Sequence, residues 1–386
     1  MSLWTSAGRL NCPKSERKRT LALARSVKGR PPEKGFVPMS IAMDAVPTAP
    51  RPITRFPIYA GLAFYLTLLA AGWWVLLVCL PDRLNIDLAG HDFIIQNVHD
   101  KILANAVLLL LILPSALWLE YAMVGWEECS LRALFSPTAS MKTDLAFLAL
   151  DQAHVMGLAG RVMMLGASLI SGVALRDWLR ARTGFWIDTS SLPLWLQILV
   201  YFHVYSFFDY WAHRLGHTRW FWPLHRYHHA AEDFCVVNAA RIHPAGFVGI
   251  FLINIPMPLL GASQQAMIWV NVVTIAFGFA IHSRIQSNWG WVGRYLLQSP
   301  GHHRLHHKLD MSQPTGFFGM IPLWDRVFGG WSETATRAEV AIGVDTAYRH
   351  GVWLLPDLLR DYCDFWKGLV GLRALSPSER ASHIAK

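Results

Sequence analysis

Long runs of uncharged, apolar residues constrain this 386-residue chain more than any other feature of its sequence. Between Arg55 and Asp82 lie 26 uncharged residues, and a second apolar run, 102–119, is interrupted by Pro114. A helix needs about 20 such residues to cross the hydrocarbon core of a bilayer. Only 16% of the residues are charged, against about 25% in soluble domains. Both runs therefore predict transmembrane helices.

Three further apolar stretches follow. Residues 155–175 are apolar apart from Arg161 and predict either a span or an interfacial helix, and 189–208 is a run of 20 uncharged residues. Residues 242–283 carry no charge and have turn residues near their middle, which predicts a tilted or re-entrant hairpin of two short helices. We therefore expect an all-α integral membrane protein with about four to six transmembrane or re-entrant helices.

The net charge of +9 comes from one end of the chain. Residues 1–55 hold 11 Lys and Arg against three acidic residues, whereas the remainder holds 24 basic and 23 acidic residues. A basic tail beside a span is typical of a cytoplasmic flank near anionic lipid, and it does not predict nucleic-acid binding. The tail is expected to be disordered; a transit peptide, or a start at Met39 or Met43, is the alternative.

Histidine spacing predicts the chemistry. Eleven of the 17 histidines fall between 213 and 307, and residues spaced by three or four share one face of a helix. Neutral imidazole binds Fe, Zn and Cu, and eight or nine imidazoles exceed what one ion takes. We therefore expect a two-metal site at the ends of apolar helices. The clustered residues are His213 and His217; His225, His228 and His229; and His303, His306 and His307. The five scattered cysteines predict neither a disulfide framework nor a thiolate site.

Between 208 and 330 the chain resembles the membrane fatty acid hydroxylase and sterol desaturase superfamily, which includes alkylglycerol monooxygenase-like proteins. The resemblance rests on Asp209–His217, Leu224–His229, Ser299–His307 and the closing Trp324–Gly329. It implies that nine histidines bind metal: His213, His217, His225, His228, His229, His282, His303, His306 and His307. Some members have a further histidine where this chain has Gln286, so the tenth ligand is open: the possible additional residues are His302, His243 and Gln286, and water is the alternative.

Acidic residues near the histidines have two expected roles. Asp209 precedes His213 by one helical turn; its carboxylate either accepts the outer N–H of a ligating imidazole, as a second-shell group, or marks the membrane boundary. Glu232 and Asp233 are expected to pair with an arginine, the candidates being Arg214, Arg226 and Arg241.

The resemblance implies an iron-dependent oxidoreductase that hydroxylates or desaturates a C–H bond of a sterol, fatty acyl or ether lipid, with two Fe ions and O2. The sequence has neither a dinucleotide fingerprint nor a cysteine cluster. An external redox partner is therefore expected, either a cytochrome or ferredoxin chain or a reduced pterin, as in the alkylglycerol branch. The alternative function is a non-catalytic membrane metal-binding or metal-transport protein, whose ligands belong at mid-membrane depth.

These expectations define four regions and one orientation. Residues 1–55 form the tail, 56–188 the N-terminal transmembrane or interfacial helices, 189–330 the catalytic domain, and 331–386 a C-terminal cytoplasmic helical extension. The protein is expected to be multi-pass, with a histidine-rich helical cap holding the metals on the cytoplasmic face. The expected partners are a lipid substrate, the membrane and the redox partner.

Overall fold

The computed structural model is mostly helical. It describes these residues: 55–88, 91–96, 98–165, 172–189, 191–309, 316–332 and 340–372. Residues 1–54 of the predicted tail lie outside the described residues.

Helix α1 (Arg55–Trp74) continues through a π-helical turn, Val75–Cys79. Its apolar side chains point outwards: Phe64, Leu77 and Val78 are each at least 60% exposed. An apolar helix that leaves its side chains outside the protein core is suited to contact with lipid.

A β-hairpin follows α1 and corrects the all-α prediction. Strands β1 (Arg83–Leu88) and β2 (His91–Gln96) pair antiparallel, with Arg83 opposite Gln96. The sequence Leu-Asn-Ile-Asp-Leu at 84–88 alternates apolar and polar residues, a period of two that favours a strand.

Helix α2 (Val98–Ala106) runs through a π-helical stretch, Val107–Ile112, into α3 (Leu113–Val124). Pro114 lies in the first turn of α3, and this proline does not end the run. The next helices are α4 (Ser130–Leu134), α5 (Ala139–Gln152), α6 (Val155–Met163) and α7 (Gly172–Thr183).

The long helix α8 (Leu194–Gly216) leads to the short α9 (Trp222–His229) and a 3-10 turn, Val236–Ala240. The apolar hairpin then has one short limb and one long one. Its short limb contains α10 (Phe247–Gly249), the π-helical Ile250–Asn254 and α11 (Pro256–Leu259). Its long limb is α12 (Gln264–Ile281), capped by the Ser263 hydroxyl.

Four more helices complete the described chain: α13 (Gly290–Tyr295), α14 (Pro300–His306), α15 (Pro322–Phe328) and α16 (Leu355–Leu369). Helix α16 packs against α9, where Phe365 and Leu224 share a buried cluster. The predicted C-terminal extension therefore lies directly over one of the histidine-bearing helices.

Three helices among the described residues are long and apolar enough to cross a membrane: Ile58–Cys79, Val107–Val124 and Gln264–Ile281. They indicate a membrane protein. Two further apolar stretches divide into shorter pieces, so the total of four to six transmembrane or re-entrant helices stays a prediction. Helix α6 ends at Met163, and the short limb of the hairpin covers only Phe247–Leu259.

Candidate metal centre

The structure brings nine histidines together in two neighbouring groups. Group A comprises His213, His217, His225, His229 and His306. Group B comprises His228, His282, His303 and His307. Within each group, one nitrogen from every ring lies within 4.8 Å of the others. These are the nine residues that the sequence resemblance implied as ligands.

Helical spacing explains how the histidines divide. Residues four apart share a face, so the pair on α8 (His213, His217) and one pair on α9 (His225, His229) both enter group A. The i, i+4 pair of α14, His303 and His307, enters group B. Adjacent residues point about a quarter-turn apart on a helix. His228 therefore leaves its neighbour His229 and joins group B.

Backbone carbonyls fix the outer nitrogen of four of the rings. In group A, Nδ1 of His213 lies 2.7 Å from the Phe318 oxygen, and Nδ1 of His306 lies 2.9 Å from the Gly316 oxygen.

In group B, Nδ1 of His228 lies 3.1 Å from the Arg241 oxygen, and Nδ1 of His282 lies 2.7 Å from the Gly278 oxygen. A carbonyl only accepts hydrogen bonds, so all four Nδ1 atoms carry the proton and their Nε2 atoms are bare lone pairs.

Those lone pairs face one another. Nε2 of His282 lies 3.3 Å from Nε2 of His228, although neither atom has a proton to donate in the neutral ring. Nε2 of His213 is buried and has no hydrogen-bond partner within the described structure. Two facing lone pairs repel unless a cation lies between them, so this arrangement fits a bound metal ion.

The spacing of the nitrogens also fits metal ligation. In group B the Nε2 of His303 lies 2.9 Å from that of His282 and 3.1 Å from that of His307. In group A, Nε2 of His217 lies 3.1 Å from that of His306. Imidazole binds Zn²⁺ at about 2.0–2.1 Å, so two rings at right angles around such an ion place their nitrogens about 3 Å apart.

Burial keeps the imidazoles neutral, which is the form that binds metal. Loss of water around the ring lowers the pKa of His213 and that of His282 to about 4. The same cause, with repulsion between neighbouring rings, holds the pKa of the other seven well below the ordinary value of 6.5.

Asp325 supports group A from outside. Its carboxylate accepts hydrogen bonds from the backbone N–H groups of Phe318 (2.9 Å) and Gly319 (2.8 Å). The carbonyls of the same loop, 316–319, accept from His213 and His306. Asp325 of the closing motif therefore fixes the loop that orients two rings, a role that its sequence alone did not reveal.

Asp144, on α5, supports group B from a distant part of the chain. It binds the buried guanidinium of Arg241 and accepts from Asn238 Nδ2 at 2.6 Å. Arg241 in turn supplies the carbonyl that accepts from His228. Asp144 and Arg241 have no exposed side-chain surface.

A second acid, Glu120 at the end of α3, is completely buried. It accepts hydrogen bonds from the Ser130 hydroxyl at 2.9 Å and from the backbone N–H of Arg284. Because Arg284 lies two residues after His282, Glu120 fixes the backbone that carries this ring.

Close packing between α8 and α9 requires glycine at 216. A Cβ built on Gly216 would lie 2.9 Å from Cγ of the His225 ring. Gly216 therefore gives His225 room to reach group A, a role that no sequence motif indicated.

The three candidates for a tenth ligand lie outside both groups. His243 uses both ring nitrogens, since Nε2 contacts the Leu358 oxygen at 3.0 Å and Nδ1 accepts from the Ala245 N–H. His302 bonds the Ser299 hydroxyl through Nδ1 and stacks on Phe317. Gln286 is exposed.

Of the two roles expected for Asp209, the hydrogen bond from the outer N–H of His213 is absent from the described structure. The outer nitrogen of His213 is bonded to the Phe318 carbonyl, and within the described residues the Asp209 carboxylate has no hydrogen bond. Burial raises the pKa of Asp209 to about 7. Its second-shell contact to His213 is thus replaced by a backbone contact.

The expected arginine partners of Glu232 and Asp233 were wrong. Arg226 instead binds Asp361 and Asp364 on α16. The partner of Glu232 is His350, at 3.2 Å, and Asp233 accepts from the Thr138 hydroxyl. Arg226 lies on α9, and α16 packs directly on this helix, so the acids of α16 reach Arg226. The prediction relied on closeness in sequence, which favoured Glu232 and Asp233.

A cavity of about 390 Å³ opens beside the histidines. Helix α8 forms one wall with Asp209 and His213; α9 contributes Phe221, Leu224 and His228; and the short limb of the hairpin closes it with residues such as Ile253. Concave, mostly apolar cavities of this size are typical of small-molecule and lipid sites.

The comparisons with known proteins agree with these motifs. Residues 198–330 match the family model for fatty acid hydroxylase, and all nine grouped histidines lie within that range. The resemblance of this part of the chain to the superfamily is therefore confirmed. No solved structure matches the chain significantly.

Individual relatives extend the match. The chain is 27% identical over 205 residues to ornithine lipid hydroxylase of Rhizobium tropici, which covers 50% of this chain and 60% of that protein. It is 26% identical over 122 residues to alkylglycerol monooxygenase of Homo sapiens, covering 31% of this chain and 27% of that protein. Methylsterol monooxygenase of Arabidopsis thaliana is 25% identical over 146 residues, 36% of this chain and 54% of the relative. Each match spans less than two thirds of the relative.

Proposed function

We propose, from the fatty acid hydroxylase match and the two histidine groups, that this protein is a membrane-bound di-iron oxygenase acting on a lipid. It hydroxylates or desaturates a C–H bond with O2 and electrons from an external donor. The observation that carries the proposal is the set of facing Nε2 lone pairs in groups A and B. Groups of five and four imidazoles suit one ion each, and imidazole suits iron.

Different parts of the site have different roles in this proposal. Group A holds one ion and group B the other, while the carbonyls of Phe318, Gly316, Arg241 and Gly278 keep the rings in the metal-binding tautomer. The bound irons would supply O2 activation and the electron transfer that C–H oxidation requires. The apolar cavity beside the groups would hold the lipid with one carbon near the metals and keep bulk water out.

The substrate class follows from the cavity and the relatives. The three relatives are named for an ornithine lipid, an alkylglycerol and a methylsterol, which share long apolar parts and differ in headgroup. We infer a lipid substrate of the fatty acyl, ether lipid or sterol class. The proposed electron donor is either a cytochrome or ferredoxin chain or a reduced pterin, and the proposed orientation has the site facing the cytoplasm.

Metal transport without catalysis is the competing function, and the position of the groups argues against it. Transport needs ligands at mid-membrane depth on helices that alternate access. Here His282 directly follows the last residue of the membrane-length helix Gln264–Ile281, and His213 and His217 lie at the C-terminal end of α8. The ligands therefore belong to helix ends.

Metal analysis of the purified protein is the first test. We expect about two irons per chain, as in other two-metal sites, with a loss of about one in His213→Ala and in His228→Ala, one for each group. His203→Ala is the matched control, because His203 lies on α8 but is exposed and bonds only the Leu199 carbonyl. Folded protein without metal, or with metal unchanged in both variants, would refute the di-iron site.

Activity is tested after anaerobic iron loading. The protein would be given 18O2, a reductant and separately an ornithine lipid, an alkylglycerol and a methylsterol. Incorporation of one labelled oxygen atom shows hydroxylation, and loss of two hydrogens without label shows desaturation. Iron-loaded protein that oxidises none of these lipids, yet binds and releases metal, would favour the transport alternative.

A further inference from the structure

The cavity beside the histidine groups is lined mostly by apolar side chains and by histidines, and Asp209 also lines it. Its polar lining comprises candidate metal ligands, such as His213 and His228, together with His243 and Asp209. His243 is already bonded at both ring nitrogens. The other residues that line it are glycine, alanine or larger apolar side chains. Among the described residues, Asp209 is therefore the one acidic side chain in this wall.

The carboxylate of Asp209 has no partner within the described residues, neither an arginine or lysine nor a hydrogen-bond donor. A carboxylate beside apolar surface costs several kcal/mol unless something compensates for lost water. Three other buried acids of the described structure have side-chain partners: Asp144 has Arg241, Asp361 has Arg226, and Glu120 has Ser130. Asp209 differs from these acids in opening into the cavity.

Helical geometry places Asp209 next to His213 in the wall of the cavity. It lies four residues before His213, on the same face of α8, and both residues line the cavity. His213 needs nothing from it, since its outer nitrogen is bonded to Phe318. A substrate group that lies in the cavity close to His213 is therefore also close to the Asp209 carboxylate, about one helical turn away on α8.

We propose that Asp209 is a specificity-determining residue that accepts a hydrogen bond from a hydroxyl or N–H group carried by the lipid close to the carbon that is oxidised. The inference rests on the proposed function and narrows it: the substrate is a lipid with a hydrogen-bond donor near the reacting carbon, not a plain hydrocarbon chain. A lipid without the donor leaves the carboxylate desolvated and unpaired, and sites of this kind reject such analogues.

The test is a binding measurement that needs no turnover. Full-length protein in lipid nanodiscs, loaded with redox-inactive Zn²⁺, is titrated with two matched probe pairs at pH 8.5, where Asp209 with its pKa of about 7 is ionised. One pair is hexadecylglycerol and its di-O-methyl ether, and the other is hexadecanamide and N,N-dimethylhexadecanamide. Each pair differs in its donors while keeping the same chain. We expect the donor-bearing member of at least one pair to bind at least ten-fold more tightly, since a hydrogen bond to a charged group contributes about 1.5–3 kcal/mol.

Two variants separate recognition from structure. Asp209→Leu should bring that ratio close to one while leaving the metal content unchanged. Ala212→Leu narrows the same cavity and should weaken both members of a pair equally, so that the ratio is kept. A ratio near one in the unmodified protein for both pairs, including absence of binding, would overturn the proposal.

Other outcomes separate this proposal from the proposed function. A preference that persists in Asp209→Leu, or loss of metal in that variant, would also overturn it; loss of metal would return Asp209 to the role of supporting a ligand. Because the binding test uses zinc, it is independent of oxygenation. A protein that oxidises lipids but shows no donor preference would refute the role of Asp209 alone, whereas failure of oxygenation would leave the measured preference in place.

Discussion

Groups A and B are supported by different parts of the chain. The carbonyls of group A come from the loop 316–319, which is fixed by Asp325, and all of these residues lie within the 198–330 family match. Group B depends on Asp144 and Glu120, which precede the matched region. The comparison indicates that the supports of group A lie within the family match, whereas group B also has supports in the N-terminal helices.

The largest effect is expected from breaking the support of group B at Asp144. Asp144→Ala leaves the buried Arg241 guanidinium unpaired, and loss of one partner of a buried ion pair costs about 3–5 kcal/mol. We expect a lower midpoint of thermal unfolding and loss of the group B metal. Asp177→Ala, which removes an exposed ion pair with Arg176, is the control and should leave both quantities unchanged. Retention of both metals in Asp144→Ala would show that group B does not need α5.

Lowering the pH tests a property that both groups share, namely the burial of neutral imidazole rings. The pKa of His282 is about 4 in the folded protein, below the ordinary value of 6.5. Between these pH values the unfolded chain binds a proton that the folded chain does not. The stability of metal-free protein should therefore fall as the pH drops from 6.5 to 4, by roughly 3 kcal/mol for this ring alone.

Thermal unfolding with a chelator, at pH values from neutral to 4, measures this effect. Metal-loaded protein should show a weaker dependence while the metal stays bound, because the ion holds the lone pairs that protons would occupy. An unfolding midpoint of the metal-free protein that is constant over this range would contradict the predicted burial of neutral rings.

A smaller and selective effect is expected at Asp325. Asp325→Asn keeps the shape of the side chain but weakens the bonds to Phe318 and Gly319, at a cost of about 1–3 kcal/mol. In a His282→Ala background, where group B lacks a ligand, the remaining metal reports on group A. We expect its affinity to fall about 10- to 100-fold, as for other groups that orient ligands. An unchanged affinity for the remaining metal would show that Asp325 does not support group A.

The smallest effect is expected at Gly216. Its alanine variant forces the His225 ring to move, because the added Cβ would lie 2.9 Å from Cγ, and such overpacking costs about 1–3 kcal/mol. Gly157→Ala, in α6, meets nothing within 4 Å and should be neutral or stabilising by up to about 1 kcal/mol. Both variants are compared by their metal affinity at group A and by their midpoints of thermal unfolding. Equal behaviour of the two variants would show that α8 and α9 are not in close contact at this point.

The side chains of the two histidine groups could be predicted from sequence, and their supports could not. Imidazoles repeat at helical spacing in His213 and His217, so residue type and period indicated the clustered rings, whereas His282 was implied only by the resemblance to the family. A carbonyl acceptor such as Phe318 carries no signal, because every residue has one. Asp144 lies 97 positions before Arg241, a pairing that only tertiary contact creates. Glu120, an acid that directly follows an apolar run, was the available signal, since acids near the membrane are usually functional.

Adjacent residues that serve different groups have a mechanical consequence. His228 and His229 are consecutive, as are His306 and His307, and each pair is divided between groups B and A. At two places, therefore, a residue of group A and a residue of group B are joined by one peptide unit, which holds their Cα atoms 3.80 Å apart. Neither centre is free to shift along α9 or at the end of α14 without carrying the other with it. At these two points the spacing between groups A and B is therefore limited by covalent bonds of the backbone, in addition to the packing of the surrounding helices.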